Sequence, residues 1–335
     1  MWLVTGATGH IGNVLVRKLL KRGEKVRVMI LPGESAESIS GLDVEAVEGD
    51  VLNTDSVFKS FQGVCGVFHL AGAISIMPGK NRLVRRVNVE GTKNMLRAAK
   101  EIGVEKLVYT SSIHAIRRVE DGMIDESVPY DPDNPYGEYD RAKAEATLEV
   151  QQAARSGLEA VIACPTGVIG PYDFRGSLMG DVIRAAAEKK PTLYVDGAYD
   201  FVDVRDVAEG LIAAAKNGGR GESYILSGQK ISVRYLLETV REITGGHFFQ
   251  MKIPFDLAKL AAMFTPMYYS LAKVNPRFTP YSLEVLRSNA NISHAKATRE
   301  LGYEPRSLYD SLRDTVKWFV ERKKVQWLQP SKSGD

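Results

Sequence analysis

The first 165 residues alternate short β-branched runs with segments of helical periodicity, and this alternation constrains the fold more than any other feature. The runs include "WLVTG", "KVRVMIL", "GVFHLAG", "EKLVYTSS" and "LEAVIACP", with helical patterns between them. Runs that are apolar on both faces and separated by helices are typical of a parallel sheet covered on both sides. Right-handed crossovers then produce a doubly wound sheet. We therefore predict an α/β protein built on a Rossmann doubly wound parallel sheet.

The pattern changes after Pro165. The stretch "GPYDFRGSLMG" is typical of a loop, "YDFVDV" and "SYIL" are typical of further strands, and the remainder is mostly helical with interspersed prolines. We predict that residues 1–165, completed by segments near 199–227, form the Rossmann domain. Residues 166–198 and 228–335 are predicted to form a smaller, mostly helical C-terminal substrate domain.

Composition is that of a globular protein and excludes several classes. Hydrophobic residues make up 44% of the 335 residues, and the net charge of +3 is too small to indicate a nucleic-acid partner. The longest apolar stretch, "FDLAKLAAMFTPMYYSLAKV", is interrupted by charges and a proline, so we expect no membrane partner. Cys65 and Cys164 lie in apolar runs and are expected to be free thiols. A strand predicted almost from Met1 leaves no signal peptide, so we expect a cytoplasmic protein.

The segment "TGATGHIG" places Gly6, Gly9 and Gly12 between the first predicted strand and the first predicted helix. Gly6 allows the tight turn, Gly9 lets the backbone approach a pyrophosphate, and Gly12 lets the helix lie close to the strand. The helix N-terminus offers N–H groups and the positive end of a dipole to the phosphates. A tight turn without a ligand has the same glycines, but the strand before them and the helix after them favour a dinucleotide site.

Further motifs follow in order: "GDV", "HLAG", "VNVEGT", "YTSS", "EYDRAK", "CPTGVIGP" and "DFVDVRDVA". With "TGATGHIG", they resemble the extended short-chain dehydrogenase/reductase superfamily and its NAD-dependent epimerase/dehydratase family. The chain is most similar to dihydroflavonol-4-reductase-like and 3β-hydroxysteroid-dehydrogenase-like members. The resemblance implies an NAD(P)-dependent oxidoreductase with a small-molecule carbonyl or alcohol substrate and, by analogy, a homodimer.

The glycine turn and the resemblance together imply one cofactor cleft. Asp50 and Val51 are expected at the adenine, and Asn88 is expected to steady the central helix. Asp50 as a turn cap and Asn88 as a buried structural amide are the alternatives. The expected cofactor-binding residues are Gly6, Thr8, Gly9, His10, Ile11, Gly12, Leu31, Asp50, Val51, Leu70, Ala71, Gly72, Asn88, Thr110, Tyr139, Lys143, Pro165 and Val168.

The end of the second predicted strand bears on the choice between NAD and NADP. NAD-dependent members of the superfamily usually present an acid there to the ribose 2′-hydroxyl, and NADP-dependent relatives present a basic residue. This chain has Ile30 and Leu31, followed by "PGES". The choice therefore stays open, and the "VRV" strand, which resembles NADP-using reductases, favours NADP.

Two Tyr-x-x-x-Lys pairs occur, Tyr139 with Lys143 and Tyr269 with Lys273. Tyr139 and Lys143 begin the predicted helix downstream of the strand that ends at Ser112. Ligands of a doubly wound sheet bind outside the carboxyl ends of its strands, so this pair and Ser112 are expected to meet in one crevice. The second pair lies in an apolar helical stretch, where packing is the expected role.

The chemistry of carbonyl reduction requires these residue types. Hydride transfer leaves a developing alkoxide that needs a proton, which a phenol with a pKa of about 10 donates. Within the resemblance, Tyr139 is the acid and base. Lys143, with the positive nicotinamide, lowers the pKa of Tyr139 and also holds the nicotinamide ribose. Ser112 orients the substrate oxygen, and Ser111 takes that role if the strand ends one residue earlier.

Three functions are compatible with these motifs. A carbonyl reductase or alcohol dehydrogenase would use the Met/Phe/Tyr-rich segment 255–281 as an apolar pocket wall, unless that segment is plain helix packing. A nucleotide-sugar epimerase would need basic residues for a pyrophosphate, and a dehydratase would add acids beside the serine, which "SSIHAI" lacks. The candidate arginines are Arg175, Arg205, Arg277 and Arg287. A cofactor-sensing regulator usually loses the tyrosine or lysine, and both are present here.

Overall fold

The central sheet is assembled from strands of both halves of the chain. The computed structural model describes residues 1–246, 249–272 and 278–322. Its strands are β1 (Trp2–Thr5), β2 (Val26–Ile30), β3 (Glu45–Glu48), β4 (Gly66–His69), β5 (Lys106–Thr110), β6 (Ala160–Pro165), β7 (Gly167–Ile169), β8 (Thr192–Tyr194), β9 (Ala198–Asp203), β10 (Ser223–Leu226), β11 (Gln229–Ser232) and β12 (Gln250–Lys252). Seven of them form one parallel sheet in the order β10-β6-β5-β4-β1-β2-β3.

The helices follow the strands as the sequence predicts. They are α1 (His10–Lys21), α2 (Thr54–Ser60), α3 (Arg82–Arg85), α4 (Gly91–Ile102), α5 (Glu138–Arg155), α6 (Leu178–Ala187), α7 (Val204–Asn217), α8 (Val233–Thr244), α9 (Phe255–Ala272), α10 (Pro280–Arg287), α11 (Ala295–Leu301) and α12 (Leu308–Glu321). A π-helical turn at Arg86–Glu90 joins α3 to α4. This turn carries Asn88 into the interior, where it is buried.

Both faces of the sheet are covered, which confirms the doubly wound fold. Successive residues of β1, Leu3 and Val4, are each fully buried and belong to different hydrophobic clusters on opposite faces. Helices α2, α4 and α5 pack on one face, and α1, α7 and α11 on the other. The strand order reverses between β1 and its neighbours β2 and β4. A doubly wound sheet binds its ligand at such a reversal, outside the carboxyl ends of the strands.

The second lobe has its own small sheets and its own hydrophobic cluster. It contains a three-stranded sheet, β11-β9-β7, and a two-stranded sheet, β12-β8. A separate hydrophobic cluster joins α6, α8 and α12. Strand β10 leaves this region and pairs with β6, which completes the central sheet. The chain thus crosses between the lobes more than once, and loops from both lobes meet at the carboxyl ends of the strands.

Helix α9 presents its large apolar side chains to solvent. Met263, Phe264 and Met267 are each more than 60% exposed, whereas the small side chains of Ala258 and Ala262 are buried. The apolar segment that the sequence assigned to a pocket wall or to helix packing therefore packs through its alanines. No helix within the described residues is long and apolar enough to cross a membrane.

Candidate active site

The glycine turn is built for close approach of backbone. Gly6 has a φ of +68°, and a Cβ there would lie 2.8 Å from the backbone of Leu70 and Ala71. A Cβ on Gly12 would lie 2.1 Å from the carbonyl oxygen of Gly6. Gly9 is the N-cap of α1, and no side chain caps that helix end. The three glycines therefore let the strand, the turn and the helix N-terminus meet as phosphate binding requires.

A buried hydrogen-bond chain connects the carboxyl ends of β1 and β4. Thr5 Oγ1 lies 2.8 Å from His69 Nδ1 and accepts from the backbone N–H of Ala71 at 3.1 Å. His69 Nε2 lies 3.1 Å from Thr92 Oγ1 on α4. Burial lowers the pKa of His69 to about 3, so the ring is neutral at pH 7. The predicted cleft residues Leu70, Ala71 and Gly72 follow directly and are held in place by this chain.

The cleft fits a dinucleotide. Within the described part of the chain, Asn88 Oδ1 and Thr110 Oγ1 are buried without a hydrogen-bond partner. A Cβ on Gly72 would lie 2.7 Å from Asn88 Oδ1, so only glycine leaves this space open. Buried polar atoms are nearly always paired, so two unpaired ones beside a glycine-lined space favour a polar ligand. The residues that would hold NAD(P) are thus present between the glycine turn and β5.

Several other predicted cofactor residues lie in or just after strands of the two sheets. Asp50 follows β3, and its carboxylate accepts from the Leu52 N–H at 2.9 Å, so it also caps a turn. Val51 is buried against Gly91 of α4. Leu31 follows β2 and is 47% exposed. Pro165 ends β6 and Val168 lies in β7.

Ser112, Tyr139 and Lys143 converge where β5 ends and α5 begins. The Ser112 hydroxyl lies close enough to Tyr139 to lower the pKa of the phenol, and it accepts from the His114 N–H at 3.2 Å. The neighbouring Ser111 hydroxyl instead lies 2.6 Å from Thr147 Oγ1 on α5. Strand β5 ends at Thr110, two residues earlier than predicted, but Ser112 and not Ser111 lies next to the phenol.

Lys143 is buried and bound to uncharged oxygen atoms. Its Nζ donates to the carbonyl oxygen of Thr110 at 2.8 Å and to the Tyr109 hydroxyl at 3.4 Å. Burial lowers the pKa of Lys143 to about 8. The same effect raises the pKa of Tyr139 to about 12, against the lowering influence of Ser112. Desolvation of the phenolate is the largest cause of this shift, whereas the lowering by Lys143 together with the positive nicotinamide stays a prediction for the cofactor complex.

Tyr269, the tyrosine of the second Tyr-x-x-x-Lys pair, lies on α9. The Tyr269 hydroxyl accepts from the Phe278 N–H at 3.2 Å and so joins α9 to the segment before α10. Lys273 lies outside the described residues. Tyr269 therefore has the structural role that the sequence predicted.

The comparisons with known proteins identify the family. Residues 2–227 match the model of the NAD dependent epimerase/dehydratase family. This chain belongs to that family. It is similar to sterol demethylase protein B of Methylococcus capsulatus, with 36% identity over 322 residues, 96% of this chain and 98% of the relative. It is also similar to a putative dihydroflavonol 4-reductase of Synechocystis sp., with 32% identity over 323 residues, 95% of this chain and 94% of the relative.

Solved structures agree with this assignment. The crystal structure of gox2253 matches with a TM-score of 0.84 and 32% identity, covering 97% of this chain and 99% of that one. UDP-glucose 4-epimerase of Thermus thermophilus, in complex with NAD, matches with a TM-score of 0.78 and 23% identity, covering 95% of this chain and 98% of that one. The latter similarity shows a shared fold. The protein is thus an NAD(P)-dependent enzyme of the extended short-chain dehydrogenase/reductase superfamily, as its motifs predict.

This family member also has a buried polar network beside Tyr139 that the sequence analysis missed. The Asp140 carboxylate accepts from the Tyr281 hydroxyl at 2.6 Å and from Arg118 Nη2 at 3.2 Å. The His114 ring lies between two phenols, with Nδ1 3.2 Å from the Tyr281 hydroxyl and Nε2 2.9 Å from that of Tyr199. Burial lowers the pKa of His114. The network joins α10 of the second lobe to the helix that carries Tyr139.

Only one sequence signal pointed toward this network. Asp140 is an acid in the first turn of α5, where carboxylates commonly lie exposed and favour the helix dipole. Here it is 1% exposed, which a sequence reading of "EYDRAK" does not reveal. Its partners come from the loop before α5 and from α10, 22 and 141 residues away along the chain.

Proposed function

We propose that this protein transfers hydride between a nicotinamide cofactor and a secondary alcohol or ketone, with Tyr139 as the acid and base. The observation that carries the proposal is the meeting of Ser112, Tyr139 and Lys143 at the carboxyl end of β5, where Lys143 Nζ lies 3.6 Å from the position a Cβ on Gly72 would take. The bound nicotinamide would supply or accept the hydride. The protein's own residues then have to bind the substrate oxygen and move one proton.

Each residue of the trio has a defined part in that transfer. With a pKa of about 12, Tyr139 is a neutral phenol at pH 7 and donates its proton to the oxygen of a carbonyl being reduced. Ser112, which lies next to the phenol, places the substrate oxygen beside it. Lys143, protonated below its pKa of about 8, stabilises the phenolate that remains. Oxidation of an alcohol uses the same groups in reverse.

An apolar ring-containing substrate is supported by the names of similar proteins, which mention a sterol, a dihydroflavonol and a 3β-hydroxysteroid. We propose a substrate of this kind.

A nucleotide-sugar epimerase is the second candidate, and the arginines of the described residues disfavour it. Arg205 is paired with Asp203 and Asp314, and the Arg287 guanidinium lies 4.4 Å above the Phe255 ring. Arg175 is paired with Glu34. Arg277 lies outside the described residues. Arg205 is engaged by two carboxylates, and Arg175 lies against Thr8 of the glycine turn, so neither is placed to bind the pyrophosphate of a sugar-nucleotide substrate, which supports the reductase.

The test is turnover of NADH and NADPH with ketone substrates, using Tyr139→Phe and Tyr269→Phe as a matched pair. Loss of general acid catalysis typically costs about 100-fold or more in kcat, so Tyr139→Phe is expected to lose at least that much. Tyr269→Phe removes the same hydroxyl from the same sequence spacing and is expected to retain activity. Undiminished turnover in Tyr139→Phe would overturn the mechanism. Stoichiometric NAD(H) released on denaturation, without ketone reduction, would favour the epimerase.

A further inference from the structure

An acidic side chain reaches the glycine turn from beyond the end of β2. Residues 31–34 form a tight turn in which the Glu34 N–H donates to the Leu31 carbonyl oxygen at 2.9 Å. Pro32 occupies the second position, and Gly33, with a φ of +78°, the third, as a type II turn requires. This turn directs the chain back, and Glu34 Oε2 accepts from Thr8 Oγ1 at 2.8 Å.

The second lobe supplies the counter-ion. Arg175 lies in the loop between β7 and α6, and its guanidinium donates both to Thr8 Oγ1, at 2.6 Å, and to the Glu34 carboxylate. The pair is open to solvent, with side-chain exposures of 51% for Arg175 and 22% for Glu34. Both charged groups are therefore at least partly accessible to a ligand.

The loop that carries Arg175 is fixed against the first turns of α1. His10 Nε2 lies 3.0 Å from the Pro171 carbonyl oxygen, and Asn13 Nδ2 donates to the Tyr172 carbonyl oxygen at 3.1 Å. The Arg17 guanidinium lies 4.9 Å from the centre of the Tyr172 ring. These contacts hold the loop at the glycine turn, so the position of Arg175 is set by the cofactor lobe.

The location of the pair indicates what it would meet. In a doubly wound dinucleotide site, the adenosine ribose lies between the glycine turn and the end of the second strand. Thr8 belongs to that turn, and Glu34 comes from the end of β2. The 2′ substituent of the ribose, a hydroxyl in NAD and a phosphate in NADP, would therefore lie beside Glu34 and Arg175.

We propose that Glu34 and Arg175 together select the cofactor, with the substrate lobe contributing the arginine; this inference rests on the proposed nicotinamide-dependent function. The Glu34 carboxylate accepts a hydrogen bond from a 2′-hydroxyl and repels a 2′-phosphate, which favours NAD. Arg175 neutralises part of the Glu34 charge and attracts the 2′-phosphate, which limits the preference for NAD over NADP. This proposal differs from the NADP preference that the "VRV" strand suggested.

The two charges make opposite predictions for single substitutions. Glu34→Gln removes the repulsion and frees Arg175 for the phosphate, so the ratio of the NADPH to the NADH dissociation constant is expected to fall by about tenfold or more. Arg175→Gln leaves the carboxylate uncompensated, so the ratio is expected to rise by about tenfold. The double variant is expected to lie within about threefold of the wild type, because both charges are gone.

The experiment is a fluorescence titration of the full chain with NADH and with NADPH, which measures binding without turnover. Glu238→Gln and Arg234→Gln are matched controls, because they remove the same charges from an exposed ion pair on α8. The proposal is supported if Glu34→Gln and Arg175→Gln shift the ratio of dissociation constants in the expected opposite directions and the two control variants leave it unchanged. Ratios unchanged within about twofold, or shifted in the same direction by both substitutions, overturn it. In that case the proposed function still stands if the wild type binds cofactor, whereas absence of all binding overturns both proposals.

Discussion

Replacement of Lys143 with methionine is expected to abolish the proposed activity and yet stabilise the fold at pH 7. The Lys143 side chain is buried, with 5% of the residue exposed, and its amine donates to the oxygen atoms of Thr110 and Tyr109. Burial raises the pKa of the Tyr109 phenol, so neither partner carries a negative charge at pH 7. The folded protein therefore holds an ammonium without an anionic partner, which costs free energy that methionine, of similar length, does not incur.

The size of the effect follows from the pKa of Lys143, about 8 instead of the ordinary 10.5. At about 1.4 kcal/mol per pH unit, this difference corresponds to at most about 3 kcal/mol of destabilisation below pH 8. Methionine leaves the Thr110 carbonyl oxygen without its donor, which costs about 1–2 kcal/mol. The variant is thus expected to be about 1–2 kcal/mol more stable than the wild type at pH 7.

The sign of the pH dependence provides the decisive measurement. Between pH 8 and 10.5 the unfolded chain keeps the Lys143 proton that the folded protein has lost. The free energy of unfolding of the wild type therefore rises with pH in this range, whereas that of the variant lacks this contribution. Urea unfolding at pH 7 and pH 10 measures this difference. Lys106→Met is the matched control, because its Nζ also donates to a carbonyl oxygen at 2.8 Å but is partly exposed and paired with Glu159. Two results would refute the reasoning. One is a Lys143→Met protein less stable than the wild type at pH 7, and the other is a difference in the free energy of unfolding that is the same at pH 7 and pH 10.

Three other changes test the packing and chemistry around the cleft. Asp140→Asn is expected to lower the free energy of unfolding by about 3 kcal/mol, because the largely buried Arg118 loses its anionic partner. Urea unfolding measures this loss, and an unchanged midpoint of unfolding would contradict the prediction. Gly12→Ala is expected to weaken NADH binding by about tenfold or more, because its Cβ would overlap the Gly6 carbonyl oxygen; fluorescence titration checks this against the wild type. Cys164 is expected to resist a maleimide at pH 8 until the protein is unfolded, because burial raises the pKa of its thiol to about 12. Mass spectrometry detects the adduct, and fast labelling of Cys164 in the folded protein would contradict the prediction.

The central sheet was predictable because its information is local. The run "GVFHLAG" is apolar at nearly every position of β4, and all four residues of that strand are buried. Such runs are readable without tertiary context, and the parallel order then follows from crossover handedness. The positions of Ser112 and Tyr139 were predictable for the same reason, because the end of β5 and the start of α5 fix their place in the cleft.

The Glu34–Arg175 pair and the hydrogen-bond network of Asp140 were not predictable, because the residues that contact one another in them are distant in sequence. Glu34 lies four residues beyond the end of β2, and only the turn at Pro32 and Gly33 brings it back to Thr8. Its partner Arg175 is 141 residues away along the chain. Periodicity and local motifs carry no information on such pairings.

The two lobes are joined at both ends of the cleft, and the two joints differ in burial. At the end near Tyr139, the Asp140 carboxylate is 1% exposed and is bound by the Tyr281 hydroxyl of α10. At the glycine turn, the Glu34–Arg175 pair is open to solvent. A buried hydrogen-bonded carboxylate is costly to separate from its partners, whereas a solvent-exposed ion pair contributes little and exchanges partners readily. The buried Asp140–Tyr281 contact is therefore suited to fixing the geometry of Ser112, Tyr139 and Lys143, and substitutions there should change stability. The exposed Glu34–Arg175 pair is suited to responding to the cofactor, and substitutions there should change cofactor preference.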